Sequence, residues 1–125
     1  MIGYVTLGTN DLKRAVAFYD ALLGEIGAKR IMEGDNFVAW GASMDKPGLG
    51  VIKPHNGLPA TWGNGTMIAI AMDSPDKVDR LYKKAIALGA TDEGPAGPRG
   101  ESFYAGYFRD LDGNKLNFFC MTGAM

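Results

Sequence analysis

Few residues in this chain could do chemistry unaided. His55 is the sole histidine and sits in Lys53-Pro54-His55-Asn56-Gly57. A general acid or base must lie within hydrogen-bond reach of its substrate, and this glycine- and proline-marked stretch is expected to be a solvated loop. Cys120 is the only cysteine, so neither an intrachain disulfide nor a zinc-thiolate cluster can form, as fits a reducing compartment. Alternation along its strand makes it an inert apolar residue facing a helix. Lys53 and Arg109 stand at strand ends and could hold a carboxylate or phosphate, although Arg109 is expected to pair with Asp110 or Asp112. Arg99 lies in the glycine-rich stretch 94–100 and is expected to be exposed. Trp40, Tyr104 and Tyr107 offer stacking area with a polar handle, the chemistry of a ligand pocket. Tyr107 and Arg109 share one strand face; Tyr104 shares the other with Gly106 and Phe108.

These side chains need strands and helices to position them. Gly3 to Gly8 alternates as a strand, Val5 and Leu7 on one face and Tyr4 and Thr6 on the other. Asn10 is the expected N-cap of a helix whose apolar stripe runs Leu12, Val16, Tyr19, Leu23, Ile26 and stops near Gly27. Short strands follow at about 28–33, 37–41 and 48–53. A second strand–helix pair starts at Met67–Met72, with Ser74 as N-cap, Pro75 at the first helical position, and a stripe of Val78, Leu81, Ala85 and Leu88 ending at Gly89. Three more strands are expected near Thr91, at 104–109 and at 115–121, with 94–100 as a long glycine-proline loop. The halves repeat: adding 63 superposes Tyr4 on Met67, Val5 on Ile68, Leu7 on Ile70 and Tyr19 on Tyr82. The fold class is therefore α+β, one domain over 1–125, with one βαβββ module at about 1–54, a linker at about 55–65 and a second module at about 66–125.

Composition narrows the function classes. Apolar residues make up 46% and charged residues 22% of the 125, the balance of a soluble globular domain. Thirteen basic against 14 acidic residues give a net charge of −1, so neither nucleic acid nor a membrane surface is an expected partner. With no signal-peptide pattern, the expected location is cytoplasmic. No phosphate-binding glycine loop, serine nucleophile elbow or basic stripe is present.

Tyr4-Val5-Thr6-Leu7-Gly8-Thr9-Asn10-Asp11-Leu12 with Phe18-Tyr19, and Phe108-Arg109-Asp110-Leu111-Asp112-Gly113-Asn114-Lys115-Leu116, resemble the opening and the ending of vicinal oxygen chelate proteins, the glyoxalase, bleomycin-resistance and extradiol dioxygenase superfamily. The resemblance spans almost the whole chain. It implies two cupped mixed sheets around a cavity between the modules, with the helices outside. In the metal-dependent members that this chain resembles, the inward position of the first strand is typically His, its counterpart in the second module is His or another ligand, and the position two after Asp-Gly-Asn-Lys-Leu's lysine is Glu. Those positions hold Tyr4, Met67 and Asn117, and Gly50 stands where a fourth ligand would. A phenol, a thioether, an amide and a glycine are poor replacements for imidazole and carboxylate. The expectation is a protein with no metal or other cofactor that binds or turns over a small organic ligand. Tyr4, Thr6, Trp40, Met67, Tyr107, Arg109 and Asn117 would contact that ligand, and the resemblance with its sheet edges suggests a homodimer. The competing readings are a metal-dependent lyase, isomerase or dioxygenase with an unconventional ligand set, and a partner-binding subunit without small-molecule activity.

Overall fold

The computed structural model describes residues 1–123. It divides into two compact units, Met1–Trp62 and the chain from Gly63 onward.

The first unit runs β1 (Tyr4–Gly8), α1 (Leu12–Gly24), β2 (Lys29–Glu33), β3 (Phe37–Gly41) and β4 (Gly48–Ile52). Asp11, one residue later than expected, caps α1: its Oδ1 accepts from the Arg14 N–H at 3.0 Å, while Thr9 Oγ1 accepts from the Asp11 N–H at 3.0 Å. Asn10 has a different task. Its amide brackets Ala60, donating to the carbonyl at 3.2 Å and accepting from the N–H at 2.7 Å, which ties the distant loop to the start of the helix. Beyond the helix Gly27 takes φ +76, a conformation that favours glycine and turns the chain toward β2. The sheet order is β1-β4-β3-β2, with β1 parallel to β4 and the other pairs antiparallel.

The second unit repeats this plan with β5 (Ile68–Ala71), α2 (Pro75–Ala87), β6 (Thr91–Pro98), β7 (Phe103–Arg109) and β8 (Lys115–Met121), in the order β5-β8-β7-β6. Ser74 caps α2, accepting from the Lys77 N–H at 3.3 Å, and proline opens the helix. The repeat extends to strand register: Val5 faces Leu49 in the first parallel pair and Ile68 faces Leu116 in the second. One expectation fails here. The stretch 94–100 is not a free loop; through Pro98 it belongs to β6, which pairs with β7 across two irregularities, between Asp92 and Gly94 and between Gly94 and Gly97. Bulges let a sequence unsuited to a regular strand stay in the ladder.

In each unit the core lies between sheet and helix. Leu7, Val38, Trp40, Leu49 and Val51 meet Phe18, Tyr19 and Leu22 of α1; Phe108, Leu116, Phe118 and Cys120 meet Val78, Leu81 and Ala85 of α2. Cross-strand partners share a face, so the register also defines what points the other way, onto the far face of each sheet. Among the described residues no helix is long and apolar enough to cross a membrane.

Candidate functional site

Tyr4 and Thr6 stand on the far face of the first sheet, both exposed, beside Gly48 and Gly50 of β4. Gly50 lies opposite Thr6 and Ala39, and a Cβ there would come within 3.2 Å of the Val38 carbonyl oxygen. The far face of this unit is therefore built of small residues at its centre, with the Tyr4 phenol at its edge.

Trp40 does not belong to this face, contrary to the expectation that it contacts ligand. It pairs with Leu49 on the helix side and is 1% exposed. Its Nε1–H donates to Asp20 Oδ1 at 2.8 Å, and its ring packs against Tyr19 with centroids 5.6 Å apart. Asp20 also accepts from Arg30 Nε at 3.0 Å and Nη2 at 2.5 Å, and Arg30 continues to Glu33 at 2.8 Å. The Arg30 hydrogen bond, aided by that from Trp40 and opposed by partial burial, holds the Asp20 carboxyl below its ordinary range. An open groove of about 690 Å³ beside α1 includes Asn10, Asp11, Asp20, Arg30 and Lys53. Its acids already serve the cap and the Arg30–Trp40 lock.

In the second unit Asn117, Tyr107, Arg109 and Lys115 share the far face: Asn117 lies opposite Tyr107 and Ala69, and Arg109 opposite Lys115. Met67 immediately precedes β5 and is partly exposed. Tyr104 turns to the helix, as parity requires, donating to Asp79 Oδ1 at 2.6 Å; that hydrogen bond raises the phenol's pKa. Gly106 on the same side leaves room for Tyr82, whose ring atoms would lie 3.0–3.1 Å from an added Cβ. Tyr82 in turn donates to Asp92 at 2.8 Å, and burial, then this contact, raises its pKa.

Arg109 finds its partner across the sheet. Its Nε donates to Glu93 Oε1 at 2.7 Å and Nη1 to the Gly113 carbonyl at 2.9 Å. Asp110, the partner expected for it, instead accepts from the N–H groups of Asp112 and Asn114, both at 2.9 Å, and closes the turn before β8. Nor does Arg99 hang in solvent: it donates to the carbonyls of Pro95 at 2.7 Å and Gly97 at 3.0 Å and lies 5.5 Å from the Tyr107 ring centroid. Lys115 approaches the same ring at 5.6 Å. Sequence reasoning passed over Lys115, although its parity with Asn117 would have placed it on this face. His55 is exposed in a turn.

The metal positions implied by the resemblance divide between the two far faces as Tyr4 and Gly50 on one and Met67 and Asn117 on the other. These donors do not fit a divalent cation: one phenol, one thioether, one neutral amide and no side chain at all. Among the described residues no three His, Cys, Asp or Glu side chains are grouped to hold a metal.

Residues 1–118 match the Glyoxalase/Bleomycin resistance protein/Dioxygenase superfamily. The fold is similar to a crystal structure of a glyoxalase/bleomycin resistance protein from Albidiferax ferrireducens T118, with 36% identity, a TM-score of 0.88 and coverage of 96% of this chain and 98% of that one. A glyoxalase/bleomycin resistance protein/dioxygenase family enzyme from Burkholderia phytofirmans PsJN gives 22% identity and a TM-score of 0.76, covering 95% of this chain and 97% of that one. Lactoylglutathione lyase from Agrobacterium tumefaciens gives 22% and 0.71, covering 96% and 92%. Both of these show a shared fold. No curated protein matches the chain.

Proposed function

Because the chain belongs to the glyoxalase, bleomycin resistance protein and dioxygenase superfamily, we propose that it uses that scaffold to bind a small organic compound on the far faces of its sheets without a resident metal. The observation that carries this reading is the donor set: Tyr4, Gly50, Met67 and Asn117 occupy the positions that the family resemblance assigns to metal ligands. A neutral amide and a thioether cannot replace the water shell of a hard divalent cation, and a phenolate at neutral pH needs a strongly lowered pKa. The same residues suit an organic ligand. On the first sheet Tyr4 and Thr6 supply hydroxyls; on the second Met67 supplies an adaptable apolar surface, Asn117 an amide and Tyr107 a ring face.

The test is elemental analysis of protein expressed with added zinc, nickel, manganese and iron, then dialysed. The expected result is well under one metal per chain; about one per chain, removed by a chelator together with any activity, overturns the reading. Tyr4→His, Met67→His and Asn117→Glu together should create measurable zinc or nickel binding. A homodimer is part of the same proposal, supported by four-stranded sheets that each end in two edge strands. Sedimentation at micromolar concentration should show a species of twice the chain mass.

A further inference from the structure

The helix side of the first unit carries groups that the fold leaves unused. The groove of about 690 Å³ beside α1 has the size of a site for one small molecule. It includes Val38, which pairs with Val51 on the helix side of the sheet, so it opens away from the face of Tyr4 and Thr6. Its apolar floor is Leu12, Val16 and Ala17 of α1 with Val38 of β3. Five charged side chains line it: Asp11, Lys13, Asp20, Arg30 and Lys53. Three of them are already engaged. Asp11 caps the helix, Asp20 accepts from Arg30 and Trp40, and Arg30 is shared between Asp20 and Glu33. Lys13 and Lys53 remain, and among the described residues neither has a carboxylate partner.

These two lysines stand at the same end of the groove. The Thr9 N–H donates to the Ile52 carbonyl at 3.0 Å, and the Lys53 N–H to the Asn36 carbonyl at 2.8 Å, so Lys53 extends β4 beside the chain that enters α1. Val51 is buried on the helix side, and Lys53, two residues on, has the same parity. Lys13 lies in the first turn of α1. Asp20 and Arg30 hold each other at the other end, about two helical turns away.

We infer that this groove binds a small phosphate monoester with an aliphatic tail, as a second ligand on the helix side of the unit. The dianionic phosphate meets the Lys13 and Lys53 ammonium groups, and the tail lies along Val16, Ala17 and Val38. Two unpaired cations match a dianion better than a single carboxylate does. The floor is aliphatic, so a flat ring has no aromatic partner there. A soluble ester fits better than a headgroup in a bilayer, because two carboxylates share the groove and the chain's net charge is −1, a poor match for an anionic surface. The inference is independent of the ligand proposed for the far faces.

Hexyl phosphate, inorganic phosphate and hexanol are titrated into the full chain at low salt and about pH 7.5, where the phosphate is mostly dianionic. Calorimetry gives affinity, and the methyl resonances of Val16 and Val38 give location. Hexyl phosphate should bind at least about tenfold more tightly than either partial probe, since one lacks the tail and the other the charge, and its affinity should fall as salt rises. Lys13→Gln and Lys53→Gln should each weaken hexyl phosphate severalfold and leave hexanol unaffected. Ala17→Glu puts a carboxylate at an exposed position of the groove, four residues after Lys13, and should weaken hexyl phosphate about tenfold with Tm unchanged. No binding, equal affinity for hexyl phosphate and inorganic phosphate, indifferent variants, or shifts at Tyr107 and Asn117 in place of Val16 and Val38 would overturn the site. Phosphatidic acid vesicles should not co-sediment with the chain; co-sedimentation that Lys13→Gln abolishes would assign the groove to a membrane and overturn the soluble ligand. A chain found to hold stoichiometric metal breaks the metal-free reading and leaves this inference standing.

Discussion

The two units share topology and register but differ in what they place on their far faces. The first puts Gly50 opposite Thr6 and Ala39; the second puts Asn117 opposite Ala69 and Tyr107. One sheet carries small residues at its centre, while the other holds a buried amide among aromatic rings and cations. On the helix side the units converge, since each locks its helix to its sheet through an aromatic donor and a helix carboxylate: Trp40 to Asp20 in the first, Tyr104 to Asp79 in the second. A duplicated fold thus keeps the contacts that hold helix to sheet and lets the opposite face diverge. Stability and recognition should accordingly be separable by mutation, and the following experiments bear on that separation.

The largest effect is expected at Trp40. Trp40→Ala empties a fully buried site against Tyr19 and leaves Asp20 with one partner fewer, at a cost of about 3–5 kcal/mol, read as a fall in the urea midpoint. Trp40→Phe keeps most of the volume and removes only the N–H, costing about 1–2 kcal/mol. In Trp40→Phe, the zinc or nickel binding created by Tyr4→His, Met67→His and Asn117→Glu together should be unchanged. A tenfold loss there would show that the helix side is coupled to recognition and would break the comparison.

Gly106→Ala comes next. The new methyl would meet the Tyr82 ring at 3.0–3.1 Å, and Tyr82 is held by Asp92, so crowding should cost about 1–3 kcal/mol. Gly50→Ala is the matched test on the far face of the first unit. Its closest contacts, at 3.2 Å to the Val38 carbonyl oxygen and 3.4 Å to Ala39 Cβ, are less severe, and thermal melts should rank it the milder variant.

Tyr104→Phe should cost about 1 kcal/mol, the net value of one side-chain hydrogen bond. Tyr107→Leu, on the far face of the same strand, should change Tm less, since what approaches its ring are the Arg99 and Lys115 cations, at 5.5 and 5.6 Å, rather than a helix carboxylate. If both variants cost the same, strand parity would not be the divide between the two roles.

Parity was the part of the site legible in the sequence. Leu116, Phe118 and Cys120 alternate with Asn117 and Phe119, and the structure keeps that alternation. Trp40 was misplaced because its strand, Phe37-Val38-Ala39-Trp40-Gly41, is nearly all apolar, and a strand without polar alternation does not announce its faces. Only its pairing with Leu49 does. The Arg109–Glu93 pair was unreadable for a different reason: it joins residues brought side by side by strands whose register passes through a bulge. Asn10 and Asp11 are both good caps by chemistry, and what selected Asp11 was the engagement of Asn10 by Ala60, fifty residues away.

The smallest expected effect is in the pH dependence of the first unit. The Asp20 pKa is lowered from 3.8, chiefly by the hydrogen bond from Arg30. A carboxyl whose folded pKa is depressed stabilises the fold above its unfolded value and loses that contribution as pH falls through the folded one. Below pH 3.8 the wild type should therefore lose an increment of stability that Asp20→Asn lacks, and above about pH 5 the increment should be constant. The effect is modest because the Asp20 side chain is 40% exposed and Arg30 39% exposed, so solvent screens much of the attraction. Trp40 adds a second, concurrent consequence, since protonation at Asp20 weakens the acceptor of a fully buried donor. Urea midpoints at pH 6 and at pH 3, for wild type and Asp20→Asn, give the answer. The gap between the two proteins should narrow at low pH, while the same experiment on Tyr104→Phe should show no narrowing that traces to Arg30. A constant gap would mean that Arg30 and Trp40 hold Asp20 by shape more than by charge, and that the helix locks of the two units are alike in kind.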